Sequence, residues 1–258
     1  MTARFEGMTA LVTGATGGFG RHAAKRLAGE GASLVLSDRD PTALDDLARF
    51  LDAKTATLCG DIAEEKLSSD LVDLALNTFG RLDIALNNAG IAHDFKRLPE
   101  ISAEEAGRVI AIDLMGVFHA MKAQLPVMER QFRETGKGGA IVNVASVAGL
   151  AGAPRLSVYA AAKHGVVGLT RSAAAEFAGK GVRINCICPS YARTPMAEAL
   201  LDSPWGKERS EADLTRGVPM RRLAEVDEVV EAILFAADPR NSFMTGQAIA
   251  IDGGITAI

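Results

Sequence analysis

Seven short runs of aliphatic and β-branched residues punctuate this chain, and longer stretches with helical periodicity lie between them. The runs are TALVT (9–13), SLVLS (33–37), TATLC (55–59), LDIAL (82–86), AIVNVAS (140–146), VRINCIC (182–188) and QAIAID (247–252). Amphipathic stretches such as 18–30, 64–79, 157–179 and 226–237 separate them. Apolar runs of this length read as strands, and strands alternating with helices call for right-handed crossovers and a parallel sheet. The expected class is α/β, with a doubly wound, seven-stranded parallel sheet carrying helices on both faces. No Pro/Ser linker, repeat or low-complexity tract breaks the rhythm, so residues 1–258 are expected to form one domain. Only 189–222, rich in Pro, Arg and Ser, falls outside it. That segment is expected to leave the sheet's edge and to act, over about 190–222, as a lid on a substrate.

Composition agrees. Hydrophobic residues make up 48% of the chain but aromatics only 5%, so the core must be built from Ala, Val, Ile and Leu. That suits strands buried on both faces. The net charge of −4 comes with no basic stripe, which argues against nucleic acid as a partner. No run of apolar residues is long enough to span a membrane. The start, MTARFEGMTA, lacks the apolar core of a signal peptide. Cys59, Cys186 and Cys188 have no metal-type spacing and are expected to be reduced, structural thiols in a cytoplasmic protein, with no metal bound.

Directly after the first strand comes TGATGGFG, with glycines at 14, 18 and 20. A tight turn, close backbone approach to a pyrophosphate and close helix–strand packing each need a residue without Cβ, and the helix opening at Gly18 offers free N–H groups to phosphate. This marks a Rossmann-type dinucleotide site with Gly14, Thr16, Gly18, Phe19 and Gly20 at its turn. The spacing, G-x-x-x-G-x-G, differs from the commonest dinucleotide pattern. The second strand ends in Asp38, whose carboxylate suits both hydroxyls of an adenosine ribose and would repel the 2′-phosphate of NADP. NAD is therefore expected over NADP, although Arg39 next door has the chemistry to bind that phosphate. Asp61, followed by Ile62, suits either the adenine edge or an N-cap serving 62–66.

Tyr159 and Lys163 stand four apart on an expected helix and so share a face. A free phenol has a pKa near about 10, and a neighbouring ammonium favours its ionised form. Ser146 falls at the end of the fifth strand, where α/β sheets open their ligand crevice, and can donate a hydrogen bond to a developing alkoxide. This set is the chemistry of proton exchange at a carbonyl/alcohol oxygen beside a nicotinamide.

Together these residues resemble the short-chain dehydrogenase/reductase family over essentially the whole chain. TGATGGFG matches its cofactor loop, NNAG (87–90) its fourth-strand motif, and Ser146, Tyr159 and Lys163 its catalytic residues; Asp252, Gly253 and Gly254 match its late DGG motif. The resemblance implies that Lys163 also holds the nicotinamide ribose and that Asn87, Asn88, Ala89 and Gly90 shape the sheet centre and cofactor pocket. It implies too that Pro189 and Thr194 sit by the nicotinamide, Thr194 holding its carboxamide. Two positions depart from the family. Asp113 stands where a catalytic asparagine is usual, at a point that bends its helix so that a backbone carbonyl holds a water contacting the lysine; an asparagine is expected to be tolerated there. Ser190 replaces the glycine of a Pro-Gly pair, so its φ is expected to be negative.

The resulting expectation is an enzyme that transfers a hydride between NAD(H) and a small secondary alcohol/ketone, assembled as a homo-oligomer, a tetramer, through helices near 101–130 and 157–179. An NADPH-linked 3-oxoacyl-carrier-protein reductase and a catalytically silent dinucleotide-binding protein are the alternatives. Met196, Leu200, Leu201 and Trp205 recur near helical spacing and are expected to lay an apolar lid over the nicotinamide, with Glu198 and Asp202 facing water. Arg155 and His93 are expected to flank the cleft, leaving room for one carboxylate or polar group.

Overall fold

All seven strands lie in one parallel sheet in the order β3-β2-β1-β4-β5-β6-β7. A computed structural model of the protein describes residues 3–195, 197–198 and 207–258. The strands are β1 (Thr9–Thr13), β2 (Ser33–Ser37), β3 (Thr55–Thr57), β4 (Ile84–Asn87), β5 (Gly139–Val144), β6 (Val182–Pro189) and β7 (Ala248–Ile251). Among the described residues the helices are α1 (Gly18–Gly29), α2 (Pro41–Phe50), α3 (Glu65–Phe79), α4 (Ala103–Ile110), α5 (Gly116–Thr135), α6 (Ser157–Phe177), α7 (Lys207–Leu214) and α8 (Val226–Ala237). Strand order reverses between β1 and β4, which opens a crevice beyond their carboxyl ends.

The sheet separates two cores. Ala10 and Val12 of β1 pack toward α1, α2 and α8, whereas Leu11 packs toward α3, α5 and α6. Every β1 residue is buried as a result, which explains the unbroken apolar run in its sequence.

Element boundaries shift where side chains compete with the ladder. β4 begins at Ile84 rather than Leu82 because the Asp83 carboxylate takes the Thr9 amide (2.8 Å) and pairs with Arg81 (2.6 Å). β5 stops at Val144, and the Ser146 hydroxyl accepts the Ala148 amide (3.1 Å) to cap a single helical turn, Val147–Gly149. Asp61 accepts from the Ala63 amide (3.0 Å), but α3 is capped at Glu64, so Asp61 closes a turn and is not that helix's N-cap. A helix the strand–helix rhythm passed over, α2, is started by the Asp40 side chain on the Ala43 amide (3.0 Å) and by Pro41 in its first turn.

The expected break in the stretch 101–130 is there. Between α4 and α5 the chain widens into a π-helical turn, Ala111–Met115, with Asp113 at its centre. Among the described residues the non-glycine positions at positive φ are Arg155 and Arg221, and Ser190 is not one of them. Cys186 and Cys188 are buried and free, but Cys59 is exposed and so is no part of the core.

After β6 the chain makes its excursion. It is closed at the base by a parallel bridge between Ala192 and Ala224, with Arg193 N donating to Ala224 O and Ala224 N to Tyr191 O, both at 3.0 Å. The expected stripe of Met196, Leu200, Leu201 and Trp205, with Asp202, lies outside the described residues. Among those described, no helix is long and apolar enough to cross a membrane.

Behind the crevice lies a buried polar network. Asn87 donates to Asn143 Oδ1 (2.9 Å) and exchanges hydrogen bonds with Gln124, while Asn143 donates to Thr170 Oγ1 (2.9 Å). Asn143 thus joins β4 to α6 through β5. Asn143→Leu keeps the volume but orphans buried groups on Asn87 and Thr170. It is expected to destabilise the protein by about 1–3 kcal/mol, read as a lower denaturant midpoint at unchanged slope.

Candidate active site

The turn after β1 is braced by the NNAG segment after β4. Asn88 donates its side-chain amide to Thr13 O (3.1 Å) and Gly14 O (2.9 Å), and Thr13 Oγ1 accepts the backbone amides of Asn88 (3.1 Å) and Ala89 (3.2 Å). Gly14 sits at φ +63°, and a Cβ on Gly20 would lie 2.1 Å from Gly14 O. No side chain caps α1, so its first amides are left to a ligand at its N-terminus.

Asp38 does two jobs. Its Oδ2 accepts from the Thr16 amide (2.9 Å) and hydroxyl (2.7 Å), and its Oδ1 accepts from the Arg39 amide (2.7 Å). The carboxylate therefore shapes the turn and lines the cleft beside it. Arg39 is exposed at the rim.

At the other end, Lys163 rises from α6 into the protein and is only 3% exposed. Its Nζ donates to Val144 O (3.1 Å), lies 3.1 Å from Asp113 Oδ2, and stands 5.5 Å from the centre of the Tyr159 ring. The Asp113 contact is an ion pair whose angle departs from that of a hydrogen bond. Burial works to lower the lysine pKa, but the charges of Asp113 and ionised Tyr159 outweigh it, and the ammonium is held above its ordinary value. An ammonium has three protons; with one on Val144 O and one toward Asp113, one remains for the cleft. The Asp113 side chain is wholly buried, and its Oδ1 accepts the Ile91 amide (2.8 Å). The carboxylate itself, and not only the helix backbone, thus reaches the lysine.

One cleft of about 800 Å³ is lined by all the residues named from the sequence as catalytic or cofactor-contacting except Gly20, which supports the turn from behind. His93 lines it too, buried, with Nδ1 donating to Asp94 O (2.7 Å). Arg155 is not part of the wall; its guanidinium donates to Phe95 O (2.9 Å). Tyr191 was not legible from the sequence: it lines the cleft from the loop after β6, and burial, then the charge of Tyr159, raise its pKa. Its only signal was its place one residue beyond Pro189–Ser190, at the carboxyl edge of the sheet.

The glycine turn, the uncapped α1, Asp38 and the free lysine proton all fit a nicotinamide dinucleotide. Comparison with known proteins agrees. A family model described as enoyl-(acyl carrier protein) reductase matches residues 14–256. The chain belongs to the short-chain dehydrogenase/reductase family. It is accordingly a nicotinamide-dinucleotide oxidoreductase acting on a CH–OH group. Cyclohexanol dehydrogenase of Acinetobacter sp. (strain SE19) is 38% identical over 261 residues, covering 100% of this chain and 98% of that one. The crystal structure of levodione reductase superposes with a TM-score of 0.92 at 35% identity, covering 98% of this chain and 99% of the other. The 3-ketoacyl-(acyl-carrier-protein) reductase from Brucella melitensis, complexed with NADH, has a TM-score of 0.89 at 31% identity and covers 98% and 99%.

Proposed function

We propose that this family member is an NAD-preferring dehydrogenase of a small cyclic secondary alcohol and its ketone, with Tyr159 as acid/base. The observation that carries the reading is the Tyr159–Lys163 pair, set in the same cleft as the Asp38 carboxylate. Bound there, the nicotinamide accepts or returns the hydride. Tyr159 takes the hydroxyl proton in oxidation and gives it back in reduction. Ser146, whose Oγ accepts from Ala148 and donates to Pro189 O across 3.4 Å, would turn that long-bonded proton to the substrate oxygen. Lys163 offers its remaining proton to the nicotinamide ribose, and Thr194 flanks the carboxamide.

The substrate end is walled by Ile91, Ala92, Ala151, Pro154, Leu156 and Tyr191, a compact and largely apolar surface. That suits a ring carrying one oxygen, as does the likeness to cyclohexanol dehydrogenase. The segment 190–222 is read as a lid because Tyr191, Ala192, Thr194, Pro195 and Ala197 line the cleft. Scattered charge and reduced thiols fit a cytoplasmic protein.

Four outcomes test this. Tyr159→Phe is expected to lower kcat for cyclohexanol oxidation by about 10²–10⁴-fold with NADH binding retained, since that is the usual size of general acid–base assistance; more than a tenth of native turnover would sink the mechanism. Asp38→Ala is expected to cost NAD about tenfold or more in kcat/KM, the size of charge-assisted hydrogen bonds lost, and to raise the NADP/NAD ratio. Turnover of 3-oxoacyl carriers with NADPH, and of no cyclic alcohol, would transfer the assignment to a carrier-protein reductase. Met115 at the end of the π turn and Phe118 in the first turn of α5 are 38% and 39% exposed and fit a contact between copies; light scattering is expected to give a homotetramer, and a monomeric mass refutes it.

A further inference from the structure

Where the family pattern has an amide, this chain buries a carboxylate beside its catalytic pair. Asp113 is fully shielded, oriented by the Ile91 amide at Oδ1, and its Oδ2 meets only Lys163. The other ionisable groups facing the pair bring no negative charge. Burial and the neighbouring Cys186 hold the Cys188 thiol of β6 well above its ordinary range, and Tyr191 is raised as well. His93, from the loop after β4, turns its Nδ1 to Asp94 O. On α4, packed against α6, Glu104 and Arg108 are exposed and Glu105 is paired with Lys96 (2.9 Å). Among the described residues, Asp113 is the carboxylate that meets the Tyr159–Lys163 pair.

We propose that the Asp113 carboxylate is a positioning group that keeps Lys163 charged and makes the Tyr159–Lys163 couple release its first proton at a higher pH than an uncharged residue would. The inference rests on Tyr159 being the acid/base. Its sign follows from charge. With Asp113, the fully protonated couple and carboxylate sum to zero, and losing a proton leaves a buried negative charge. With an amide the same step runs from a buried positive charge to zero. Burial favours the neutral state in each case, so the carboxylate raises the first titration of the couple, whichever member gives up the proton. Ketone reduction, which consumes that proton, is sustained to higher pH; alcohol oxidation, which needs it gone, begins later. Asp113→Asn is therefore expected to move the onset of turnover to lower pH.

The chain has two tyrosines, Tyr159 and Tyr191. In a Tyr191→Phe background, ultraviolet titration of tyrosinate in the cofactor-free protein reports Tyr159 alone and needs no substrate. Asp113→Asn and Asp113→Ser are expected to lower the onset of tyrosinate absorbance by about one pH unit or more, as removal of a close charge does. Asp113→Glu, which restores the charge, is expected to titrate like the parent. The ascending limb of kcat/KM for cyclohexanol with NAD is expected to move down equally. An unchanged or higher onset in the folded Asn or Ser variant overturns the proposal. So does loss of near-ultraviolet dichroism in both uncharged variants with the Glu variant folded, which makes the carboxylate a folding requirement. A lowered onset with no turnover of any cyclic alcohol upholds the role of Asp113 and removes only the substrate assignment.

Discussion

A lysine ammonium taken out of water must be repaid in charge and hydrogen bonds, and at Lys163 the repayment ties three segments together. Desolvating such an ion costs several kcal/mol. Val144 O at the end of β5 and the Asp113 carboxylate of the π turn offset it, each at 3.1 Å. Asp113 in turn holds the Ile91 amide just beyond NNAG. The lysine therefore fixes where α6 sits on the sheet and how the helix pair α4/α5 opens. It also fixes where the loop after β4 runs. Tyr159, one turn earlier on α6, takes its position from the same anchor.

The cofactor end depends on a comparable economy of parts. One carboxylate, Asp38, both accepts from Thr16 and lines the cleft, and one amide, Asn88, locks two consecutive carbonyls of the glycine turn. If Asp38 selects the dinucleotide, as proposed, that selectivity and the shape of the turn are coupled. A change meant for the first is felt in the second.

Much of this was legible in the sequence because it rests on local rules. The central strands are buried on both faces and so rich in aliphatic residues, which made the strand runs stand out, and a turn without Cβ atoms between strand and helix has few uses. What escaped depended on partners distant in sequence. The start of β4 is set by Asp83 reaching Thr9, and the part of Asp113 is set by Lys163, fifty residues on. Tyr191 looked like any loop residue until the sheet edge placed it opposite Tyr159. Arg155 was expected to flank the cleft, but its positive φ and its bond to Phe95 O turn it to bracing the neighbouring loop. α2 was missed for a simpler reason: its Asp-Pro start was there to be read, but its ten residues make a short element.

The bridge between Ala192 and Ala224 has a consequence for how such a chain diversifies. The excursion leaves the sheet and returns beside its own point of departure, so its net displacement is close to nil. Lengthening such a closed loop adds little entropy cost, although Arg193 and Arg222 also tie its two ends to Glu225 and to Glu228 of α8. The catalytic groups lie outside the bracket and Tyr191 stands at its threshold. If that stretch meets the substrate, as proposed, taste and chemistry become separable by inheritance: descendants could be refitted by rewriting the loop while Ser146, Tyr159 and Lys163, which lie outside it, are passed on intact.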